Sequence, residues 1–402
     1  MTTTVGDGLH AALADALALL RGGDRAAAAA RLAPVLGRQA EAFQPDSCLS
    51  DAAPLVAVAE DLSGISRWKT AQLAYELLVE AGHGGLGWSA GQAAERAALQ
   101  DAFVARFEAT PAMERLAPSL GGATGHPVAA LATTRMRPGL FDMALFRHAI
   151  TFADGAPAME VVEKVMRSDK RAKRRAHAEG LLFGSMDADW LMAPRHFGTL
   201  EDGPFVSTFR AFFDGTPLPI DRWMTTHDEL LYRYWAKAPP PSLAKGPSLV
   251  PVFVDRLKEL IARTLPAGVE AQLRACSIDD VALIVARRFD HIVALLDSMP
   301  MFVFHDDMHC GNILVGAAGG MTIVEWDNWA LAPIGTGWRF YATHEVLAEP
   351  EVGRIGWARA LPPEVTGHNM MLMASLWGWH RALRDQKLEL AARWLEKLVR
   401  YA

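Results

Sequence analysis

Apolar residues recur every three or four positions along the first hundred residues, which is the spacing of an amphipathic helix. Leu9, Leu13 and Leu17 begin this pattern, and Asp7 is predicted to cap the first helix. The same period returns twice before residue 110, with glycines between the helical stretches. Residues 1–110 are therefore predicted to form a helical N-terminal domain.

The apolar period shortens to about two positions after residue 127, which is typical of strands. Before this change, proline, glycine and small residues dominate 111–127, and this stretch is predicted to be a linker. A helix over 169–186 and a strand over 204–213 are predicted further on. Directly after the linker, and before this helix, three alternating runs separated by turn residues predict an antiparallel meander. These runs span residues 131–137, 145–152 and 158–166.

Helical periodicity dominates again beyond residue 216, apart from one interruption. Amphipathic stretches over 252–263 and 278–298 predict helices, as does an apolar stripe near the C-terminus. The interruption consists of a short apolar strand at 302–304, a polar loop, and a hairpin over 313–324. The polar loop holds the residues that indicate chemistry.

Composition narrows the class of protein without assigning a function. Of the 402 residues, 51% are apolar and 21% are charged, as expected for a globular protein with a sizeable core. The 46 acidic and 40 basic residues give a net charge of −6, which argues against nucleic acid as a partner. No apolar run reaches the roughly 20 residues of a membrane span, and no secretory pattern is visible at the N-terminus. Three widely spaced cysteines fit neither a zinc knuckle nor a disulfide framework, so a reduced cytoplasmic protein is predicted.

The polar loop reads His305-Asp306-Asp307-Met308-His309-Cys310-Gly311-Asn312 and lies between two predicted strands. Transfer of a phosphoryl group from a nucleoside triphosphate requires a carboxylate beside the acceptor hydroxyl and oxygen ligands for a metal ion. Asp307, followed five residues later by Asn312, supplies one of each. The hairpin then returns the chain to the same place and delivers a second carboxylate, Glu325.

A cation for the phosphates is found upstream, in the predicted sheet. Lys164 lies in a predicted strand, within the run Val161-Val162-Glu163-Lys164-Val165. Fifteen residues later, Glu179 lies on the predicted helix, where its carboxylate could pair with this lysine. The stretch 164–175 carries an excess of basic residues and is predicted to be a solvated helix face, with an acidic partner as the alternative.

The order of strand lysine, helix glutamate, His-x-Asp-x-x-x-x-Asn loop and hairpin acid resembles the protein-kinase-like fold. Within that fold, residues 305–312 look like the loop of the aminoglycoside phosphotransferase and choline kinase family, usually written His-Gly-Asp-Leu-His-Pro-Gly-Asn. The second histidine, His309, separates this family from ordinary protein kinases. The resemblance covers roughly residues 128–402 and implies an α+β, two-lobed protein-kinase-like fold after the all-α domain. Its small antiparallel-sheet N-lobe would span 128–215, and its mostly helical C-lobe would span 216–402.

The resemblance also implies roles for the loop residues. Asp307 would be the base or orienting carboxylate for the acceptor hydroxyl, and His305 would buttress the loop. Asn312 and Glu325 would bind Mg²⁺. The acceptor would be a small molecule with a hydroxyl group, such as an aminoglycoside, an amino alcohol or a sugar.

The nucleotide would be ATP or GTP, bound in part by residues of the N-lobe. Lys164 would contact its α and β phosphates, and Glu179 would hold the lysine in place. The leading hypothesis is therefore a Mg²⁺-dependent phosphotransferase.

Three departures from the family pattern define a second hypothesis. Asp306 stands where the family usually has glycine, and Glu325 stands where it has aspartate. The first hairpin carries residues 137–142 in place of an obvious glycine-rich phosphate loop. The second hypothesis is a pseudokinase, a nucleotide-sensing or protein-interaction module that binds a protein partner through its N-terminal helices.

Further alternatives concern individual residues. His305 and His309 are four positions apart, which would suit zinc on a helix, but the adjoining strands argue against a helix there. Asp327 is the alternative metal ligand in place of the hairpin acid. The late tryptophans are predicted to pack in the core, with Trp326 or Trp329 lining an acceptor pocket as the alternative.

Overall fold

The computed structural model describes most of the chain. The described residues are 3–36, 68–81, 94, 97–136, 143–265, 278–340, 348–356 and 361–402. They belong to two compact units. The first unit comprises residues 1–172 and 197–210, and the second comprises 173–196 and 211–402. The predicted division of the chain into a helical domain, a linker and two lobes stays a prediction.

The N-terminal part of the first unit is helical, as the leucine spacing predicts. Leu13 and Leu17 of the predicted stripe are buried in a cluster with apolar residues of the neighbouring helices. Asp7 lies inside the first helix, which begins at Thr3, so the prediction that Asp7 caps this helix is wrong. The helices of this part include α1 (Thr3–Arg21), α2 (Arg25–Leu36) and α3 (Trp68–Glu80), and a π-helix lies at Val104–Glu108.

Helix α4 (Ala112–Thr124) occupies most of the stretch that is predicted to be a linker. Pro111 lies just before its first residue, where a proline removes no helical hydrogen bond. Leu116 and Leu120 are buried, and Gly125 ends the helix in the left-handed conformation at φ 78°. The structure therefore shows a packed helix at this point, leading directly into the sheet.

The sheet of the first unit has five strands in the order β1-β2-β3-β5-β4. β1 pairs antiparallel with β2, and β2 pairs antiparallel with β3, which confirms the predicted meander. The fifth strand in the chain matches the strand predicted over 204–213, whereas the fourth was not predicted. The strands are β1 (Val128–Met136), β2 (Ala144–Phe152), β3 (Met159–Arg167), β4 (His196–Asp202) and β5 (Phe205–Ala211).

The second unit is mainly helical, and the helices predicted over 169–186, 252–263 and 278–298 are confirmed to within two residues at each end. The helix before the last has buried residues on every side from Met370 to Leu383, so it lies within the core of this unit. The helices are α5 (Lys170–Ser185), α6 (Ala188–Leu191), α7 (Ile220–Trp235), α8 (Val250–Ala262), α9 (Ile278–Ser298), α10 (Gly367–Arg384) and α11 (Leu388–Tyr401).

Short strands frame the polar loop of the second unit. β7 ends at His305 and pairs antiparallel with β10, so that His305 lies opposite Trp329. β8 and β9 form the predicted hairpin, in which Ile313 pairs with Ile323. The loop therefore runs from the end of one sheet to the start of another. The strands are β6 (Thr216–Pro217), β7 (Met301–His305), β8 (Ile313–Val315), β9 (Met321–Ile323) and β10 (Trp329–Pro333).

The predicted fold class, α+β, is confirmed by the antiparallel sheet of the first unit and the helices of the second. Trp326 and Trp329 are buried in the core of the second unit, which agrees with the predicted packing role. Within the described parts of the chain, no helix is long and apolar enough to span a bilayer.

Candidate active site

His305 joins the start of the polar loop to the end of the hairpin. Its Nδ1 accepts a hydrogen bond from the backbone N–H of Asp307 at 3.2 Å, so the ring proton lies on Nε2. Nε2 in turn donates to the carbonyl oxygen of Val324 at 2.8 Å. Burial lowers the pKa of His305, which keeps the ring in this neutral form. The ring therefore links both segments without adding charge to the loop.

Asn312 closes the loop at its other end. Its Nδ2 donates to the carbonyl oxygen of Asp307 at 2.9 Å, and its own carbonyl accepts from the N–H of Val324 at 2.9 Å. His309 stabilises the turn between them, because its Nδ1 accepts from the N–H of Gly311 at 3.0 Å. The loop and the hairpin thus form one hydrogen-bonded unit, in which Asp307 and Asn312 are in direct contact.

Glu325 follows Val324 directly and lies at the start of the turn between β9 and β10. Its backbone is in the left-handed region, at φ 66° and ψ 35°. The next turn returns to the loop, because the carbonyl oxygen of Asn328 accepts from the N–H of Asp306 at 2.9 Å. Backbone contacts therefore bring the predicted metal ligands Asn312 and Glu325 to adjoining positions.

The donor set of this site fits Mg²⁺. Because Nδ2 of Asn312 donates to Asp307, the amide oxygen Oδ1 is the atom left to act as a ligand. An amide oxygen and a carboxylate are hard oxygen donors, and Mg²⁺ commonly takes one or two carboxylates plus phosphate and water oxygens. The described residues contain no cluster of three or more His, Cys, Asp and Glu side chains that could hold a metal ion.

The zinc alternative does not fit this geometry. His305 is the last residue of strand β7, so His305 and His309 do not share a helix. Both ring nitrogens of His305 make hydrogen bonds within the protein. The expectation that strands exclude a helical zinc pair here is confirmed.

Asp307 carries the carboxylate predicted to face the acceptor. Its side chain is 32% exposed, and Oδ1 accepts a hydrogen bond from Nη2 of Arg381 at 2.6 Å. Burial alone would raise the pKa of Asp307, but the charge and hydrogen bond of Arg381 outweigh it and hold the pKa below its usual value. Asp307 is therefore ionised at neutral pH, with one oxygen engaged by arginine.

Asp306 also has a defined environment, although the family usually has glycine at this position. Its Oδ1 accepts from Nε1 of Trp377 at 3.0 Å, and its Oδ2 accepts from Nη1 of Arg384 at 2.6 Å. Asp306 is not one of the described residues with positive φ, so the backbone does not require glycine here. All these partners lie on α10, more than 70 residues further along the chain, and no local spacing in the sequence indicates them.

Lys164 and Glu179 are both buried, but they belong to different compact units. Lys164 lies on β3, opposite Leu145 of β2. Glu179 lies on α5, with Oε1 at 3.9 Å from Nε2 of His196. The predicted ion pair between the two stays a prediction, and the predicted absence of a glycine-rich phosphate loop falls on residues 137–142, outside the described residues.

Glu163, the neighbour of Lys164, forms a buried network that no spacing in the sequence indicates. Its carboxylate accepts two hydrogen bonds from Arg115 of α4, at 2.6 and 2.7 Å, and one from Oγ of Ser207 at 2.6 Å. Nε2 of His148 lies 3.0 Å from its Oε2. Because neighbouring side chains in a strand face opposite sides of the sheet, Lys164 lies on the face away from α4.

Comparison with known proteins finds similarity among solved structures. No protein-family model and no curated protein matches the sequence. Spectinomycin phosphotransferase, solved with ADP and spectinomycin, is 14% identical and has a TM-score of 0.38 over 71% of this chain and 93% of that chain. Choline kinase from Streptococcus pneumoniae is 10% identical, with a TM-score of 0.39 over 72% of this chain and 98% of that chain. Macrolide 2′-phosphotransferase from Brachybacterium faecium is 15% identical, with a TM-score of 0.37 over 70% and 97%.

Phosphotransferases and a choline kinase, the kinds of enzyme that the loop motif resembles, are thus among the similar structures. With identities of 10–15% and TM-scores below 0.4 for these three, the similarity assigns neither a substrate nor a residue role to this chain.

Proposed function

We propose that this protein is a Mg²⁺-dependent phosphotransferase that moves the γ-phosphate of ATP or GTP to a hydroxyl of a small molecule. The observation that supports it is the hydrogen-bonded unit of loop and hairpin. In this unit the side-chain amide of Asn312 is bonded to the backbone carbonyl oxygen of Asp307, whose carboxylate is partly exposed, and Glu325 begins the adjoining turn. An ionised carboxylate with two hard oxygen ligands beside it is the arrangement that phosphoryl transfer needs.

In the proposed reaction, the acceptor hydroxyl oxygen attacks the γ-phosphorus. The bond from that phosphorus to the β–γ bridging oxygen breaks, and the nucleoside diphosphate leaves. Asp307 orients the hydroxyl and takes its proton on Oδ2, since Oδ1 is bonded to Arg381. Asn312 and Glu325 would hold Mg²⁺, which neutralises charge on the phosphates when bound. Lys164, held by Glu179, is proposed to contact the α and β phosphates.

The acceptor class rests on the resemblance of the loop to small-molecule kinases. His309 is the residue that carries this resemblance, and in this chain its ring is part of the loop turn. We propose an aminoglycoside, an amino alcohol or a sugar as the acceptor.

The first test is nucleotide binding. Thermal denaturation is followed with ATP and with GTP, each with and without Mg²⁺. A ligand at 100 times its dissociation constant stabilises the folded state by about 2.7 kcal/mol, which is a readily measured shift. A shift that needs Mg²⁺ supports the proposal. No shift with either nucleotide would favour the interaction module instead.

The second test is turnover. Nucleotide hydrolysis is measured with water as the acceptor and then with a panel of small hydroxyl compounds. Asp307→Asn is expected to lower the rate by about 100-fold or more while the Mg²⁺-dependent thermal shift remains. Asp297→Asn, which removes an exposed carboxylate from α9, is the matched control and should act like the parent.

A further inference from the structure

We propose that helix α10 positions the catalytic carboxylate: Arg381 holds Asp307 in its reactive orientation, and Arg384 and Trp377 hold the loop through Asp306. This inference rests on the proposed function. It assigns a role to residues that the loop motif does not include.

Arg381 contacts three separate groups with its guanidinium. Nη2 donates to Oδ1 of Asp307 at 2.6 Å, and Nη1 donates to the carbonyl oxygen of Asp306 at 2.5 Å. Nε donates to Oδ2 of Asp385, the residue directly after α10, at 2.8 Å. The guanidinium is planar, and its N–H groups point in fixed directions, so three contacts define its orientation completely. The carboxylate of Asp307 is consequently fixed relative to its own backbone.

Asp306 holds the backbone just before Asp307. Both of its carboxylate oxygens are engaged, one by Trp377 and the other by Arg384. Its N–H donates to Asn328, and its carbonyl oxygen accepts from Arg381. The loop is therefore attached to α10 on one side and to the turn after Glu325 on the other. A glycine at position 306 would lose the two side-chain contacts.

Helix α10 is itself well fixed. The Trp377 ring packs edge-on against Phe304, with centroids 5.2 Å apart, and against Phe340 at 4.7 Å. Phe304 directly precedes His305, so the helix contacts the loop through both an apolar and a polar connection. A helix with buried residues on all sides has little freedom to turn or slide.

These contacts leave Oδ2 of Asp307 as the oxygen for the acceptor hydroxyl. A displacement of about 1 Å in a reacting group can lower the rate about 100-fold. Loss of the Arg381 contact should therefore affect the catalytic step far more than nucleotide binding, since the contact it removes is the one to the carboxylate that faces the acceptor hydroxyl.

The test compares Arg381→Gln and Arg381→Ala with Arg393→Gln, which removes an exposed arginine from α11. The activity measured is hydrolysis of Mg²⁺-ATP or Mg²⁺-GTP by the full chain. Both Arg381 variants are expected to lower kcat by about 30- to 100-fold. KM for the nucleotide should stay within twofold of the parent, and Arg393→Gln should match the parent in both constants.

Chemical rescue separates positioning from a general loss of structure. Ethylguanidinium at millimolar concentration should raise the kcat of Arg381→Ala at least tenfold. It should have no effect on the kcat of the parent. A value of kcat within twofold of the parent for both Arg381 variants would overturn the inference and leave the proposed function intact. A parent that neither binds nor hydrolyses these nucleotides would overturn the proposed function, and this inference with it.

Trp377→Phe keeps the test valid if the arginine variants fail to fold. It removes the Nε1–H donor to Asp306 and keeps a ring against Phe304 and Phe340. We expect a three- to tenfold lower kcat at an unchanged nucleotide KM. An unchanged kcat in a folded Trp377→Phe protein would contradict the role of Asp306.

Discussion

Position 325 must meet two requirements, one on its side chain and one on its backbone. Its carboxylate is proposed to bind Mg²⁺, and its backbone is left-handed, at φ 66°. That conformation costs a non-glycine residue about 1–2 kcal/mol, and aspartate tolerates it better than glutamate does. The aspartate of the family motif would therefore suit the backbone at this position and would also shorten the proposed metal ligand by one methylene.

Substitution of Glu325 tests the metal assignment. Glu325→Asp is expected to keep or raise nucleotide turnover, whereas Glu325→Ala should weaken Mg²⁺-ATP binding by at least about tenfold. Isothermal titration with and without Mg²⁺ measures this difference. Asp327→Asn is the matched variant, because Asp327 is buried at 3.6 Å from Arg175. If Glu325→Ala binds Mg²⁺-ATP as well as the parent, Asp327 becomes the candidate ligand.

Helix α10 is the element on which the candidate site depends most. It carries Trp377, Arg381 and Arg384, and it packs against α11 at Gly378. A Cβ atom at position 378 would overlap the ring of Trp394. The glycine therefore permits the close approach of the two helices. This contact sets the position of α10, and so of Arg381 and Arg384, relative to the loop.

Gly378→Ala is expected to lower the free energy of unfolding by about 1–3 kcal/mol, because the added methyl group has no space. Gly184→Ala in α5 is the control. A Cβ there meets nothing within 4 Å, and alanine is the better helix former by about 0.5–1 kcal/mol. Urea unfolding measures both values. Equal stability of Gly378→Ala and the parent would show that the helix contact is looser than described.

At the scale of the whole molecule, local patterns predicted the elements and missed the contacts between them. The meander could be predicted because turn residues separate its alternating runs. β4 is as long as β5, but it has no clear apolar pattern, because Phe197 is its one buried residue and Gly198 interrupts it. The composition of 111–127 does not indicate that α4 forms within it, since Pro111 precedes this helix and Pro118 lies inside it.

The candidate site shows the same division. Asp307 and Asn312 could be found because they share one loop. Arg381 could not, since it is 74 residues from Asp307 and sits on a buried helix whose sequence gives no sign of which loop it faces. The Glu163 network was missed for the same reason, because Arg115 lies 48 residues away.

The two units should respond to acid in different pH ranges. In the second unit, burial lowers the pKa of His227 to about 3 and that of His380 to about 4. In the unfolded chain these histidines take up protons near pH 6.5, so the free energy of unfolding decreases as the pH falls below 6.5. Each histidine lowers it by up to about 1.4 kcal/mol per pH unit. In the first unit, burial acts to raise the pKa of Glu163, but Arg115 and His148 hold it at about 2. The stabilisation from the ionised Glu163 is present above pH 4.5 and is lost only as the pH falls from there towards 2.

Hydrogen exchange read by mass spectrometry at pH 7 to 3 measures the two units separately. Protection is expected to fall first in the second unit, from about pH 6.5, and later in the first. His227→Gln should reduce the dependence of this protection on pH above pH 5. His177→Gln, which changes an exposed histidine of α5, should not. Loss of protection in the first unit ahead of the second would contradict this assignment.

The low exposure of Arg381 has a consequence for behaviour in concentrated salt. Its side chain is 10% exposed, whereas Arg31 and Asp15, which pair on the surface of the first unit, are 50% and 55% exposed. Mobile ions screen exposed pairs much more strongly than partly buried ones. The carboxylate of Asp307 should therefore keep its orientation at ionic strengths that weaken the exposed surface pairs. Any salt dependence of turnover would then reflect the binding of a charged nucleotide.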